Sequence, residues 1–193
     1  MKPRVAIIGK GRVGGALREG LERAGYEVRA VGKEPQVVRE AAEWGNVIVL
    51  AVPYGAIDDA LRSLGNAVNG KLLIDVTNPF TSDMELALGF STSGAEELQK
   101  KAPAAKVVKA FNTVFAHHMS TGHVQSTPIS LFAAGDDQGA KEQVLAMGRD
   151  IGFDPVDAGP LRNARVLEPL AYLNIQLAFT MKMGTQIGFK LVH

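Results

Sequence analysis

Short unbroken apolar runs alternate along this chain with stretches in which apolar residues recur at helical spacing. Residues 4–8 (RVAII), 46–52 (NVIVLAV), 71–76 (KLLIDV) and 106–111 (KVVKAF) are runs of the kind that form strands buried on both faces. Residues 26–31 (YEVRAV) alternate and predict a further strand, residues 128–134 another, and residues 155–157 a short extended piece. Between them Val13, Ala16, Leu17, Leu21 and Ala24 mark one helix face, and Ile57, Ala60, Leu61 and Leu64 a second. Further helices are predicted over 34–44, where Pro35 sits early enough that its missing N–H costs nothing, and over 138–151, with Asp136 and Asp137 as capping acids. Ser93 and Glu96 form a capping box ahead of a helix over 94–101. Residues 80–93, with Gly89, Ser91, Thr92 and Ser93, show little periodicity and read as a long loop. The tail, 161–193, is helical in pattern, with Val166, Leu167, Leu170, Leu173, Leu177 and Ala178 on one face, Pro169 as a kink or a fresh start, and Gly184 and Gly188 loosening the end.

The junction of the first strand and first helix carries G-x-G-x-x-G as Gly9, Lys10, Gly11, Arg12, Val13 and Gly14. Strand, glycine turn and helix in that order are the context in which this motif binds a dinucleotide. Gly9 permits the tight turn, Gly11 lets the backbone approach a pyrophosphate, and Gly14 lets helix and strand pack closely. The helix start adds unpaired amides and about half a positive charge. The whole pattern predicts an α/β fold, a Rossmann-type doubly wound and mostly parallel sheet. Residues 1–160 form the nucleotide domain and 161–193 a helical extension, packed on it or at the seam of a homodimer. In such sheets ligands sit beyond the carboxyl ends of the strands, which makes Ala51, Val52, Pro53, Tyr54, Asn78 and Pro79 candidates to line the site.

The end of the second strand bears on which cofactor binds. An NAD site usually has a carboxylate there for the ribose hydroxyls; this chain has Gly32 and Lys33, with Glu34 one place later. Lys33, helped by Arg12, favours the 2′-phosphate of NADP. The alternative is a solvated Lys33 with Glu34 as the ribose ligand.

Composition removes other classes. Lys+Arg 21 against Asp+Glu 20 gives a net charge of +1, which offers nothing to nucleic acid or an anionic membrane surface. With Cys 0 there is no disulfide and no thiolate nucleophile. No apolar run reaches membrane-spanning length and no signal peptide precedes the first strand, so a cytoplasmic protein is expected. The tyrosine–lysine pair of short-chain reductases is absent, because Tyr26, Tyr54 and Tyr172 are followed four places on by Ala30, Asp58 and Gln176. His117, His118 and His123 lack a metal-binding helical spacing and read as solvated or capping residues; Lys100, Lys101, Lys106 and Lys109 read as a solvated face. What remains is a nearly bare dinucleotide fold with an open edge, suited to a planar acceptor against the nicotinamide. A small carbonyl or imine reductase completed by a second subunit, or a dinucleotide sensor, would fit the same fold.

GKGRVG after the first strand, AVPY after the third, VTNP after the fourth, KAFNTV after the fifth, AAGDD, DAGPLRNARVLEPL and a closing IGFKL together resemble the NADP oxidoreductases dependent on coenzyme F-420, a deazaflavin. The fold also resembles the cytosolic domain of the six-transmembrane metalloreductases, which pair NADPH with a flavin. The resemblance implies that residues 9–14 hold the pyrophosphate, and Lys33 and Arg12 the 2′-phosphate. Ala51, Val52 and Pro53 would line the path to the nicotinamide, with Asn78, Pro79, Ala110, Phe111 and Asn112 around the ring. The deazaflavin, or a flavin, would stack near the loop after Asn112 and the turn at 158–161. Hydride would then pass directly between the two rings.

Overall fold

β1 (Val5–Ile8) is buried on both sides: Val5 and Ile7 face one layer of helices, Ala6 and Ile8 the other. A computed structural model describes residues 1–81, 83–88 and 90–192; Gly89 of the predicted loop and the terminal His193 lie outside the described residues. From β1 the chain runs through α1 (Arg12–Arg23), β2 (Val28–Val31), α2 (Pro35–Trp44), β3 (Val47–Leu50), α3 (Ile57–Leu64), β4 (Leu72–Asp75), α4 (Gly94–Lys101) and β5 (Lys106–Lys109). Each of these elements stands where the hydrophobic pattern predicts it. The chain continues through α5 (Ala116–Met119), a small hairpin of β6 (His123–Val124) and β7 (Thr127–Pro128), then β8 (Ser130–Gly135), α6 (Gln138–Ile151), β9 (Asp154–Asp157) and α7 (Ala164–Ile175).

The sheet order is β2-β1-β3-β4-β5-β8-β9. The first five strands are parallel; β8 runs against β5 and β9 runs parallel to β8. One face of the sheet is covered by α1, α5 and α6 through Leu17, Leu21, Met119, Val144 and Met147. The other is covered by α2, α3 and α4 through Val38, Ala41, Ile57, Leu64 and Leu98. From β1 the chain turns first to β2 on one side and then to β3 on the other. That makes the carboxyl ends of β1 and β3 the switch point, where a doubly wound sheet opens a crevice.

Two readings of the tail change. The chain is helical only to Thr180: α7 passes through Pro169 without a fresh start, then widens into a π turn over Gln176–Thr180. Residues 181–192 are not helical and return along the start of β8, where Ser130 donates its N–H to the Phe189 carbonyl and Leu191 donates to Ser130 Oγ. Glycines at 184 and 188 weaken a helix there, and Gly188 has no room for a side chain because a Cβ would stand 2.9 Å from Ile129. The long loop is ordered in part by an isolated bridge between Phe80 and Leu86 and by Tyr172 of α7, whose hydroxyl donates to Glu85 at 2.6 Å.

Candidate functional site

The glycines at the β1–α1 junction differ in what surrounds them. A Cβ on Gly9, which has φ +120°, would stand 2.0 Å from the Ala51 carbonyl oxygen, because Ala51 donates its own N–H to Ile8 at the end of the neighbouring strand. A Cβ on Gly14 would stand 2.0 Å from the Gly9 carbonyl oxygen. A Cβ on Gly11 would meet nothing within 4 Å. Two glycines therefore let the chain close on itself, and the third faces open space. Gly11 caps α1 with no side chain, and the first turn of α1 carries no acid, so its amides remain unscreened for an anion.

A trough of about 450 Å³ runs over this junction. It brings together Gly9, Lys10, Gly11, Gly32, Lys33, Ala51, Val52 and Pro53 of the predicted site, and adds Val38 of α2 and Ala56, Asp59, Ala60 and Ser63 at and along α3. Lys10, Arg12 and Lys33 are exposed, and among the described residues none of them is in an ion pair. Asp59, the acid in the trough lining, is bonded by Arg62.

A second, smaller cleft of about 180 Å³ takes up Val13, Asn78 and Asn112, together with Thr113, Val114, Phe115, Ala116, and Ala171, Asn174 and Ile175 of α7. Asn78 donates to the Asn112 carbonyl at 3.0 Å, and Asn112 donates to Asn78 Oδ1 at 3.1 Å and to the Leu167 carbonyl at 3.0 Å. Asn174 donates to the Thr113 carbonyl, so two side-chain amides fasten α7 to the loop after β5. The Asn112 Oδ1 atom is buried without a partner.

The remaining predicted residues lie elsewhere. Tyr54 points into a pocket with Gly94, Leu98 and Lys101. Burial raises its phenol pKa, and the nearby Glu168 carboxylate adds to the rise. Pro79, Ala110 and Phe111 are buried. Phe111 takes φ +64°, an uncommon conformation for a bulky residue, and its ring packs edge-on against Phe153, 5.7 Å between centroids. Its side chain belongs to the core, and only its backbone turn serves the edge.

Local patterns do not reveal what lies behind that edge. Lys109, expected on a solvated face, is fully buried. Its ammonium donates to Asp75 Oδ2 at 2.9 Å and to the Thr77 carbonyl at 2.7 Å, and pairs with Glu168 Oε1 at 2.8 Å. Burial opposes its charge, but the two carboxylates outweigh burial and hold its pKa above the ordinary lysine range. Glu168 also accepts the amides of Gly94 and Ala95 at the start of α4. The signals available in sequence were a lysine inside KVVKAF and a glutamate on the apolar face of α7. The histidines correct in the same direction: His118 is buried, and both His117 and His118 bring Nε2 to the Thr185 carbonyl, at 2.9 and 3.2 Å. Ser93 and Asp137 do cap α4 and α6, accepting from the amides of Glu96 and Ala140, while Asp136 holds the Leu161 amide instead.

Residues 4–79 match the family described as NADP oxidoreductase, coenzyme F420-dependent. Metalloreductase STEAP3 of Rattus norvegicus is 33% identical over 181 residues, which are 87% of this chain and 36% of that protein. The F420-dependent NADP reductase of Methanocaldococcus jannaschii is 28% identical over 177 residues, 88% of this chain and 78% of that one. A crystal structure from Arthrobacter sp. FB24, provisionally described as an F420-dependent NADP reductase, matches with a TM-score of 0.89 at 25% identity, over 99% of this chain and 100% of that chain. The chain therefore spans about a third of the metalloreductase and most of the Methanocaldococcus reductase.

Proposed function

From the match of residues 4–79 to the NADP oxidoreductases dependent on coenzyme F420, and the similarity of most of the chain to an F420-dependent NADP reductase, we propose that it exchanges a hydride between NADP(H) and a deazaflavin or flavin ring. The glycine cradle, the helix start and the unpaired Lys10, Arg12 and Lys33 fit a pyrophosphate and a 2′-phosphate. Ala51, Val52 and Pro53 line the same trough. Asn78 and Asn112 hold the end of that cleft where the nicotinamide and its partner ring would meet.

One observation carries the choice of acceptor. The second cleft is lined by apolar groups, amides and one hydroxyl, with no titratable side chain among the described residues that line it. Reducing a carbonyl needs a proton donor at the developing alkoxide. A fused-ring acceptor takes the hydride at a ring atom and spreads the charge over its own ring system, so the protein need only position and enclose it. NADPH supplies the hydride; Asn78, Asn112 and the α7 face supply the walls.

The test is NADPH oxidation by the whole chain with oxidised coenzyme F-420, run beside FMN, FAD and a ferric chelate. Turnover with the deazaflavin or a flavin is the expected result. Tight NADPH binding without oxidation by any of these acceptors would overturn the proposal and leave a nucleotide-binding protein of other purpose.

A further inference from the structure

Gly32 is the first residue after β2, the place from which dinucleotide folds usually present a carboxylate to the ribose hydroxyls. It has no side chain, yet the space its side chain would fill is occupied. The Glu34 carboxylate turns back over Gly32, with Oε2 2.7 Å from the point where a Cβ on Gly32 would stand. Glu34 is exposed and precedes α2, but its side chain does not cap that helix. Among the described residues its carboxylate is in no ion pair. Glu34 stands at the rim, over Gly32 and outside the trough lining itself, whereas the acid within that lining, Asp59, is already bonded by Arg62. Lys33 stands between Gly32 and Glu34, in the same lining as Gly32.

We infer that the trough accepts NAD(H) as well as NADP(H), with Glu34 as the residue that admits the unphosphorylated ribose. The inference rests on the nucleotide reading above and deepens it. A 2′-hydroxyl donates to the Glu34 carboxylate, a charge-assisted bond. A 2′-phosphate pairs instead with Lys33 and is repelled by Glu34, so the two side chains pull selectivity in opposite directions. Neither nucleotide is shut out. Lysine alone at this edge would select strongly for the phosphate, and a carboxylate alone strongly against it; their juxtaposition narrows the gap.

The experiment is a fluorescence titration of the whole chain with NADH and with NADPH, repeated with Glu34→Gln and Glu34→Lys. Wild type should bind NADH within about tenfold of NADPH. Glu34→Gln should weaken NADH about tenfold and leave NADPH unchanged or tighter, the order expected for loss of one hydrogen bond to a charged group. Glu34→Lys should tighten NADPH and weaken NADH further. NADPH binding with an NADH affinity that Glu34→Gln does not change would overturn this inference and leave the nucleotide site standing. Failure of wild type to bind either nucleotide would overturn both. Because the Glu34 side chain is exposed and, among the described residues, makes no hydrogen bond or ion pair, circular dichroism of the variants should match wild type, and binding losses then report the site.

Discussion

Gly9, Gly11 and Gly14 belong to one motif, yet they should respond differently to the same added methyl group. Alanine at Gly14 drives Cβ into the Gly9 carbonyl at 2.0 Å, and alanine at Gly9 meets the Ala51 carbonyl at the same distance with an unfavourable φ as well. Both variants should lose several kcal/mol of stability, on the order seen for overpacking of a closed site. Alanine at Gly11 meets nothing and keeps an allowed φ of −72°. It should melt close to wild type, within about 0.5 kcal/mol, while its NADPH affinity falls. Thermal denaturation beside nucleotide titration separates the two behaviours; a Gly11 variant that binds NADPH normally would remove this residue from the pyrophosphate cradle. Lys33→Asp probes the phosphate in the same way. It should weaken NADPH by about 1.5–3 kcal/mol, the worth of a hydrogen bond between charged groups, with NADH held or improved. Equal losses for both nucleotides would deny Lys33 a role at the 2′-phosphate.

At the scale of elements, α7 carries the more consequential contacts. Glu168 meets Lys109 and the start of α4, Asn112 and Asn174 tie α7 to the loop after β5, and Tyr172 pins the loop before α4. Lys109→Met should cost about 3–5 kcal/mol, because it leaves two carboxylates buried without their cation. A loss under about 1 kcal/mol in chemical denaturation would mean that the two acids take up protons or water without strain. The raised pKa of Lys109 means that its contribution is complete through neutral pH and is lost only as pH rises through the folded-state value, above the ordinary lysine range. The histidines act on the acid side. Burial, with the charge of neighbouring His117, lowers the pKa of His118 below its ordinary value of 6.5. A lowered folded-state pKa gives stability that is present above 6.5 and is lost as pH falls. Wild type should therefore lose more melting temperature between pH 7.5 and 5.5 than His118→Gln; equal losses would show that His118 carries no part of the dependence.

Taken as a whole molecule, the sheet was legible in the sequence and the rear of its functional edge was not. VAII, VIVL and LLID are short apolar runs, and their length suits a parallel strand covered on both faces better than a buried helix, so their order gave the sheet. The trough was legible because a glycine's need for space is local: Gly9 and Gly14 serve turns and packing within a few residues. The second cleft depends on contacts between distant segments. Lys109 reads as a surface lysine until Asp75 and Glu168 are brought beside it from β4 and α7, and Phe111 reads as a ring wall until its φ turns it toward Phe153. Tyr54 goes to α4 rather than to the trough for the same reason, since Gly94 leaves room for its ring. The tail is helical through Thr180, as its pattern reads, and only its loosened end, 181–192, settles against β8 by hydrogen bonds that no periodicity announces.

The claim that joins these scales is that hydride passes directly from one ring to another along the carboxyl edge of the sheet. The measurement that meets it most directly uses NADPH deuterated at C4 of the nicotinamide, prepared separately on each face. It is reacted with oxidised coenzyme F-420 in ordinary water, and the reduced deazaflavin is then weighed by mass spectrometry. The proposed direct transfer predicts that one of the two preparations delivers its deuterium to the acceptor and the other keeps it. Reduced acceptor that carries no deuterium from either preparation would mean that the hydrogen came from water and would contradict direct transfer.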